Sequence, residues 1–275
     1  MAKYRRDLKI LVRDVVKLAR VVAVVNQKGG VGKSTTAVNL GAYLAVLGQR
    51  VLLIDCDPQG NATSGVGVEK RDIQLCMYNV LIGGRSLKEV ILPTAIENFY
   101  VAPARIDLAG AEVELVSTIS REYRLKRAVD GVRDQYDFIF IDAPPSLGLL
   151  TINGLSCADG VLVPIQCEYY ALEGLSQLMN TIDMVRKHLN EGLEIDGVLM
   201  TMYDARTNLS QQVVEEVREV FGERVFETIV PRNVKLSEAP SFGQPIYLND
   251  DRSKGAIAYR QLAEEYLSKR GRGTR

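Results

Sequence analysis

Two hydrophobic rhythms alternate along this chain. Continuous apolar runs at residues 21–25, 50–55, 138–141 and 160–164 have the length of strands buried on both faces. Runs at 99–103, 195–202 and 225–230 predict further strands. Between them, apolar residues recur at helical spacing over 37–47, 108–116, 121–132, 171–189, 209–221 and 253–268. In the 121–132 segment Leu125, Ala128, Val129 and Val132 share one face, opposite a solvated face of charged residues. Short helices broken by Gly83 and Gly84 are expected over 73–90, and the small, polar stretch 61–67 reads as a mobile loop.

Strand and helix alternate from Val21 onward with no linker, composition break or internal repeat. The predicted architecture is one α/β domain over residues 20–268, a mainly parallel twisted sheet with helices on both faces. Residues 1–19 form a basic extension in which Leu8, Leu11, Val15 and Leu18 fall at helical spacing. A surface helix is the simplest reading of it, and contact with DNA or a membrane surface is the alternative. Residues 269–275 read as a basic, disordered tail.

Apolar residues make up 47% of the chain, enough for a large core. Lys+Arg and Asp+Glu both number 34, which argues against a wholly basic nucleic-acid binder and leaves room for a local basic patch. Cys56, Cys76, Cys157 and Cys167 form no C-x-x-C pair, so no zinc ribbon or thioredoxin motif is indicated, and scattered thiols suit a reducing cytoplasm. No apolar run reaches the roughly 18–20 residues of a membrane span. The charged N-terminus lacks the apolar centre of a secretory signal.

The chemistry concentrates where the first strand meets the first helix. Asn26-Gln27-Lys28-Gly29-Gly30-Val31-Gly32-Lys33-Ser34-Thr35 is a glycine-rich loop in the strand–loop–helix setting of a phosphate-binding loop. Glycines let backbone N–H groups close around phosphate oxygens, and the new helix aims its positive end at the same place. Lys33 is placed for the β- and γ-phosphates and the Ser34 hydroxyl for Mg²⁺. The usual loop has a glycine where Gln27 stands, and Lys28 adds a second cation five residues before Lys33. Asp55 and Asp57 follow the second strand, and Asp142 ends the 138–141 run in the manner of a Walker B carboxylate. His188 is the single histidine and reads as a surface residue.

The extra lysine is the deviant Walker A pattern of the ParA/MinD class of ATPases. Over residues 20–267 the chain resembles the ParA/Soj chromosome- and plasmid-partition ATPases. The resemblance rests on the loop at 26–34, Asp-Pro-Gln-Gly-Asn-Ala-Thr-Ser-Gly at 57–65 and Ile-Asp-Ala-Pro-Pro-Ser-Leu-Gly at 141–148. It extends through residues 166–174, Asp-Ala-Arg-Thr-Asn at 204–208 and Pro-Arg-Asn-Val-Lys-Leu-Ser-Glu-Ala-Pro-Ser at 231–241. It implies a P-loop NTPase fold, ATP and Mg²⁺ as cofactors, slow intrinsic hydrolysis and an ATP-sandwiched homodimer. Lys28 then resembles the lysine that reaches the partner's phosphates, and residues 29–35 with Lys33 hold the phosphates in cis. Asp57 resembles the residue that orients the attacking water, and Asp142 and Asp55 organise the metal with Ser34. Met202, Pro231 and Asn233 match adenine-site positions. Arg206 and Lys235 match basic contacts to non-specific double-stranded DNA, although relatives more often carry Arg at the second. The implied partner is a ParB-type centromere-binding protein, and the implied location is cytoplasmic and nucleoid-associated.

Two rivals share the loop. A MinD-like cell-division ATPase needs a C-terminal amphipathic membrane helix. Residues 258–275 lack a bulky apolar face beyond Leu262, Tyr266 and Leu267, so no stable membrane anchor is expected. A nucleotide-gated DNA-binding regulator with negligible turnover would have no use for Lys28 and Asp57.

Overall fold

The fold is taken from a computed structural model that describes residues 18–169 and 175–272. Seven strands form one sheet: β1 (Arg20–Val24), β2 (Val51–Asp55), β3 (Leu92–Pro93), β4 (Phe99–Ala102), β5 (Phe138–Asp142), β6 (Gly160–Gln166) and β7 (Glu194–Thr201). The longer helices are α1 (Lys33–Val46), α2 (Leu108–Glu114), α3 (Arg124–Asp130), α4 (Leu149–Cys157), α5 (Leu175–His188), α6 (Asn208–Phe221) and α7 (Lys254–Arg272). Strand order is β3-β4-β2-β5-β1-β6-β7, parallel throughout except for β3, which runs antiparallel to β4.

The pleat sorts side chains between two cores. Val22, Val24, Leu53 and Phe140 pack under α1 and α7, and Val21, Ala23, Leu52, Ile54, Ile139 and Ile141 pack under α2 to α6. Every residue of β2 and β5 is buried, as continuous apolar runs predict for central parallel strands. Helix α1 lies close on the sheet because Gly41 faces the Phe99 ring. A Cβ at residue 41 would stand 2.8 Å from Phe99 Cε2.

Four details depart from the hydrophobic pattern. Residues 61–67 are not a mobile loop, since Asn61–Gly65 is a helical turn with Ala62, Thr63 and Gly65 buried. The turn is held because Asp55 Oδ2 accepts the Thr63 N–H (2.8 Å) and hydroxyl (2.6 Å). The predicted strand at 225–230 makes one bridge, Val198 to Val225, because the Glu227 and Thr228 N–H groups donate to the Glu265 carboxylate instead (both 2.9 Å). The two-residue β3 was not predicted; it is too short for an alternation signal. The final helix does not stop at residue 268. It runs to Arg272, its last turns held by Lys269–Glu265 (3.3 Å) and Arg270–Asp196 (2.9 Å). The proposed N-terminal amphipathic helix, the start of the 171–189 helix and residues 273–275 of the tail lie outside the described residues. Among the described residues no helix is long and apolar enough to cross a membrane.

Gly41→Ala is expected to destabilise the protein by about 1–3 kcal/mol through overpacking. Helix propensity alone predicts the opposite sign, a gain of about 1 kcal/mol. Urea unfolding of the two proteins separates the outcomes.

Candidate nucleotide-binding site

The three central strands end together. Val24 pairs with Asp142 across β1 and β5, and Asp55 pairs with Asp142 across β2 and β5. This register sets two carboxylates side by side just beneath the loop that leaves β1. The loop turns through left-handed backbone at Gly30 (φ 75°) and Gly32 (φ 92°), which glycine adopts without strain. A Cβ built at Gly29 or Gly30 would meet nothing within 4 Å, so open space lies in front of the loop's backbone. No side chain caps the N-terminus of α1, leaving its first N–H groups directed at that space.

The loop is pinned from the neighbouring strands. Asn26 donates from Nδ2 to Pro164 O (2.8 Å) and accepts the Lys28 N–H at Oδ1 (3.0 Å). The Thr201 hydroxyl at the end of β7 bonds Val31 O (2.9 Å) and Ile165 O (3.2 Å). Lys33 is nearly buried, and its ammonium donates to Lys28 O (3.1 Å). Burial pulls the Lys33 ammonium below the usual lysine range, with Asp142 and Asp57 opposing. Asn26 and Thr201 were not singled out from the sequence. Their signal was position alone, since each sits at the carboxyl end of a parallel strand.

The two paired carboxylates differ in what holds them. Asp55 is saturated by the chain. Its Oδ1 accepts the Asp57 N–H (3.1 Å), and its Oδ2 accepts both donors of Thr63. Asp142 is fully buried, and neither oxygen has a hydrogen-bond partner. Burial pushes its carboxyl well above the usual range, Asp55 pushes the same way, and the Ser34 hydroxyl and Lys33 pull against them. Ser34 acts here as a nearby dipole, since it does not meet hydrogen-bond geometry. An orphaned buried carboxylate behind a serine hydroxyl and an ammonium suits a hard divalent cation carrying phosphate and water ligands. Among the described residues no cluster of three or more His, Cys, Asp or Glu could cage a metal alone. Asp55 carries three bonds already, so its fit is to the ion's surroundings rather than to direct ligation.

A cleft of about 650 Å³ opens from the loop. Gly29, Gly30, Lys33, Ser34, Thr35 and Asp57 line one end, and Met202, Pro231 and Asn233 line the other. Asp57 Oδ1 is fixed by the Gln59 N–H (2.9 Å). Met202 holds a left-handed backbone (φ 53°), uncommon for a non-glycine residue and frequent at ligand sites. Asn233 caps the following helical turn through Oδ1 to the Lys235 N–H (2.9 Å), which leaves its amide nitrogen for a ligand. Lys28 is half-buried at the loop, does not line this cleft, and has no carboxylate partner among the described residues. Arg206 and Lys235 lie outside the cleft on exposed surface. Arg206 grips Asp204 with two bonds (2.9 and 2.7 Å), and Lys235 pairs with Glu238 (2.9 Å). Arg232, not identified from sequence, lines the cleft and pairs with Glu168 (3.0 Å), and the Asp204 carboxyl is depressed first by Arg206 and further by the charge of Arg232.

An AAA-domain family model matches residues 19–195. The chain is 60% identical over 248 residues to the sporulation initiation inhibitor protein Soj of Bacillus subtilis, covering 90% of this chain and 98% of that protein. It is 54% identical over 257 residues to the chromosome partitioning protein ParA of Myxococcus xanthus, covering 94% and 91%. A solved Mycobacterium smegmatis structure, described as cobyrinic acid a,c-diamide synthase with bound ATP analog and magnesium, matches with a TM-score of 0.82 at 40% identity, covering 93% and 97%.

The raised carboxyls give the ligand-free protein a pH signature. Asp142 and Asp55 both bind protons more readily folded than unfolded. Stability therefore falls as pH rises from the unfolded carboxylate range, about 4, through the raised folded values. Asp142→Asn is expected to flatten that fall and to stabilise the chelator-treated, nucleotide-free protein by about 1–3 kcal/mol at pH 7. Urea unfolding at pH 5 and pH 7 reads both effects. An equally steep fall in the variant would assign the slope elsewhere.

Proposed function

Because this chain belongs to the ParA/Soj family of chromosome-partitioning ATPases, we propose that it binds ATP with Mg²⁺ in the loop cleft and uses slow hydrolysis to time its release from DNA. The observation that carries the nucleotide reading is Asp142, a buried carboxylate left without a partner beside Ser34 and Lys33. Burying such a charge unpaired costs several kcal/mol, so a site that keeps one is built for a cation. Bound Mg²⁺ would neutralise charge on the phosphate oxygens. The residues that would hold it are Ser34 and Asp142, with Asp55 keeping Asp57 and Thr63 in place around them.

The chain's own groups divide the remaining work. Backbone N–H groups of residues 29–35 and the α1 N-terminus take up phosphate oxygens, and Lys33 brings the cis positive charge. Asp57 orients the attacking water. Positioning is the suitable role for a carboxylate, which is a weak base towards water at neutral pH. Met202, Pro231 and Asn233 receive the base at the far end of the cleft. Lys28 has no acidic partner within its own subunit among the described residues, which supports a role across an ATP-sandwiched homodimer, at the partner's phosphates.

The dimer binds double-stranded DNA without sequence preference, through Arg206 and Lys235. Both residues are ion-paired, but exposed pairs of this kind are screened by water and salt, so a phosphate displaces the carboxylate at little cost. Lys235 provides a point charge where an Arg would bond in two places. A ParB-type centromere-binding protein stimulates hydrolysis and frees the DNA. The working location is the nucleoid.

DNA binding is measured with ATP, with ADP and without nucleotide. ATP is expected to give the tightest binding. That ATP-specific gain is expected to fall at least tenfold between about 50 and 200 mM salt. Lys28→Ala is expected to keep nucleotide binding while losing ATP-induced dimers and phosphate release by more than tenfold. Dimers at the wild-type level by light scattering would overturn the sandwich.

A further inference from the structure

The turn that carries Asp57 is tied firmly at its ends and lightly at its tip. At its start the Asp57 N–H donates to Asp55 Oδ1 (3.1 Å). At its end the Gly60 carbonyl accepts the Ser64 N–H (3.1 Å) and hydroxyl (3.2 Å). Within the turn, Asp57 Oδ1 accepts the Gln59 N–H (2.9 Å) and Asp57 O accepts the Gly60 N–H (2.8 Å). The tip itself offers little to hold. Pro58 has no N–H to give, and Gln59 is exposed. Among the described residues one hydrogen bond reaches this tip from outside the turn, from the Lys70 ammonium to Gln59 O (2.5 Å).

Lys70 is rooted more tightly than a surface lysine needs to be. On one side of it the Val68 N–H donates to Thr63 O (3.2 Å), and on the other the Arg105 guanidinium holds Ile73 O (2.7 Å). Gly67 backs onto residue 243, and a Cβ at residue 67 would stand 2.9 Å from Gly243 O. The lysine stem then lies across Gly60, where an added Cβ would stand 2.9 Å from Lys70 Cε. No acidic side chain pairs with Lys70 among the described residues. Lys70 does not line the nucleotide cleft, whereas Asp57 and Gln59 do.

We propose that Lys70 is a positioning residue for ATP hydrolysis, acting on Asp57 through the backbone of residues 59 and 60. This rests on the reading that Asp57 orients the attacking water. The peptide between Gln59 and Gly60 is held at both sides, its C=O by Lys70 and its N–H by Asp57 O. Rotating that peptide breaks both bonds and swings Gln59, whose own N–H fixes Asp57 Oδ1. With the peptide locked, Asp57 Oδ2, which accepts no hydrogen bond among the described residues, is kept for the water. A half-exposed ammonium adds little to stability, because water replaces its hydrogen bond when it is lost. A misplacement of about 1 Å at a reacting centre, in contrast, costs on the order of 10²-fold in rate. The lysine's effect therefore belongs in turnover.

The test measures ATP turnover of the full chain by radiolabelled phosphate release, with the melting temperature read beside it. Lys70→Met keeps the stem and removes the donor. Lys70→Gln is a polar replacement that guards against a folding artefact, and Lys70→Arg restores a donor. The first two are expected to lower kcat about tenfold with KM within about twofold, KM reporting affinity where turnover is slow. Lys70→Arg is expected to recover most of the loss, and all three to melt as the wild type does. Wild-type kcat in both Lys70→Met and Lys70→Gln overturns the proposal. So does a rise in KM or a drop in melting temperature that accounts for the loss, since either assigns Lys70 to binding or to the fold. Lys70→Arg as slow as Lys70→Met overturns it as well, because the donor is then not what matters. If Asp57→Asn loses turnover while the Lys70 variants keep it, the function above stands and this role does not. If Asp57→Asn hydrolyses ATP as the wild type does, the reading of Asp57 falls and this proposal with it.

Discussion

The site depends on the register of three parallel strands. Pairing Val24 and Asp55 with Asp142 brings the phosphate loop, the Ser34–Lys33 turn and two carboxylates to one point at the centre of the sheet. A shift of one residue in β5 would turn Asp142 to the other face and put Ile141 beneath the loop. The apolar sorting under α1 and α7 on one face and α2 to α6 on the other prevents that shift. The hydrophobic core and the polar site thus hold one another in place, because the alternation that buries Phe140 also aims Asp142.

Similar sequence positions acquire different chemistry within that frame. Asp55 and Asp142 both end apolar strands, and both are buried. Thr63 and the Asp57 N–H complete Asp55, which becomes the brace for the turn behind Asp57. Asp142 receives no such bonds and keeps its lone pairs for a cation. The loop is organised in the same way, with Asn26 and Thr201 fixing its backbone so that Gly29 and Gly30 face open space.

The body's other end follows a different logic. Asp196 joins the first strand to the last helix through Arg20, Arg270 and Tyr266. A buried carboxylate bonded by two guanidinium groups and a phenol is fully satisfied, so it serves the fold and not a ligand. Its consequence is placement, since the first strand and the last helix, far apart in sequence, are tied at one carboxylate.

The chain's hydrophobic rhythm determined six of the seven strands' surroundings, the helices between them and the parallel class of the sheet, because continuous apolar runs survive only where both faces are covered. The run at 225–230 misled for the same reason, since Val225, Phe226 and Val230 are buried and Phe226 and Val230 bond β7, while the N–H groups of Glu227 and Thr228 between them turn to Glu265. The glycine spacing, Lys28, Lys33, Ser34 and the strand-ending carboxylates were legible because phosphate chemistry needs those types in that local order. What tertiary structure alone decided is which of these groups is left unpaired. Asp55 and Asp142 look alike until the fold brings the Thr63 donors to one and leaves both oxygens of the other without a hydrogen-bond partner. Arg206 and Lys235 look like free cations until Asp204 and Glu238 are seen beside them. Hydrogen-bond satisfaction depends on which neighbours, near or distant in the chain, the folded backbone aims at each group, and only the fold decides that.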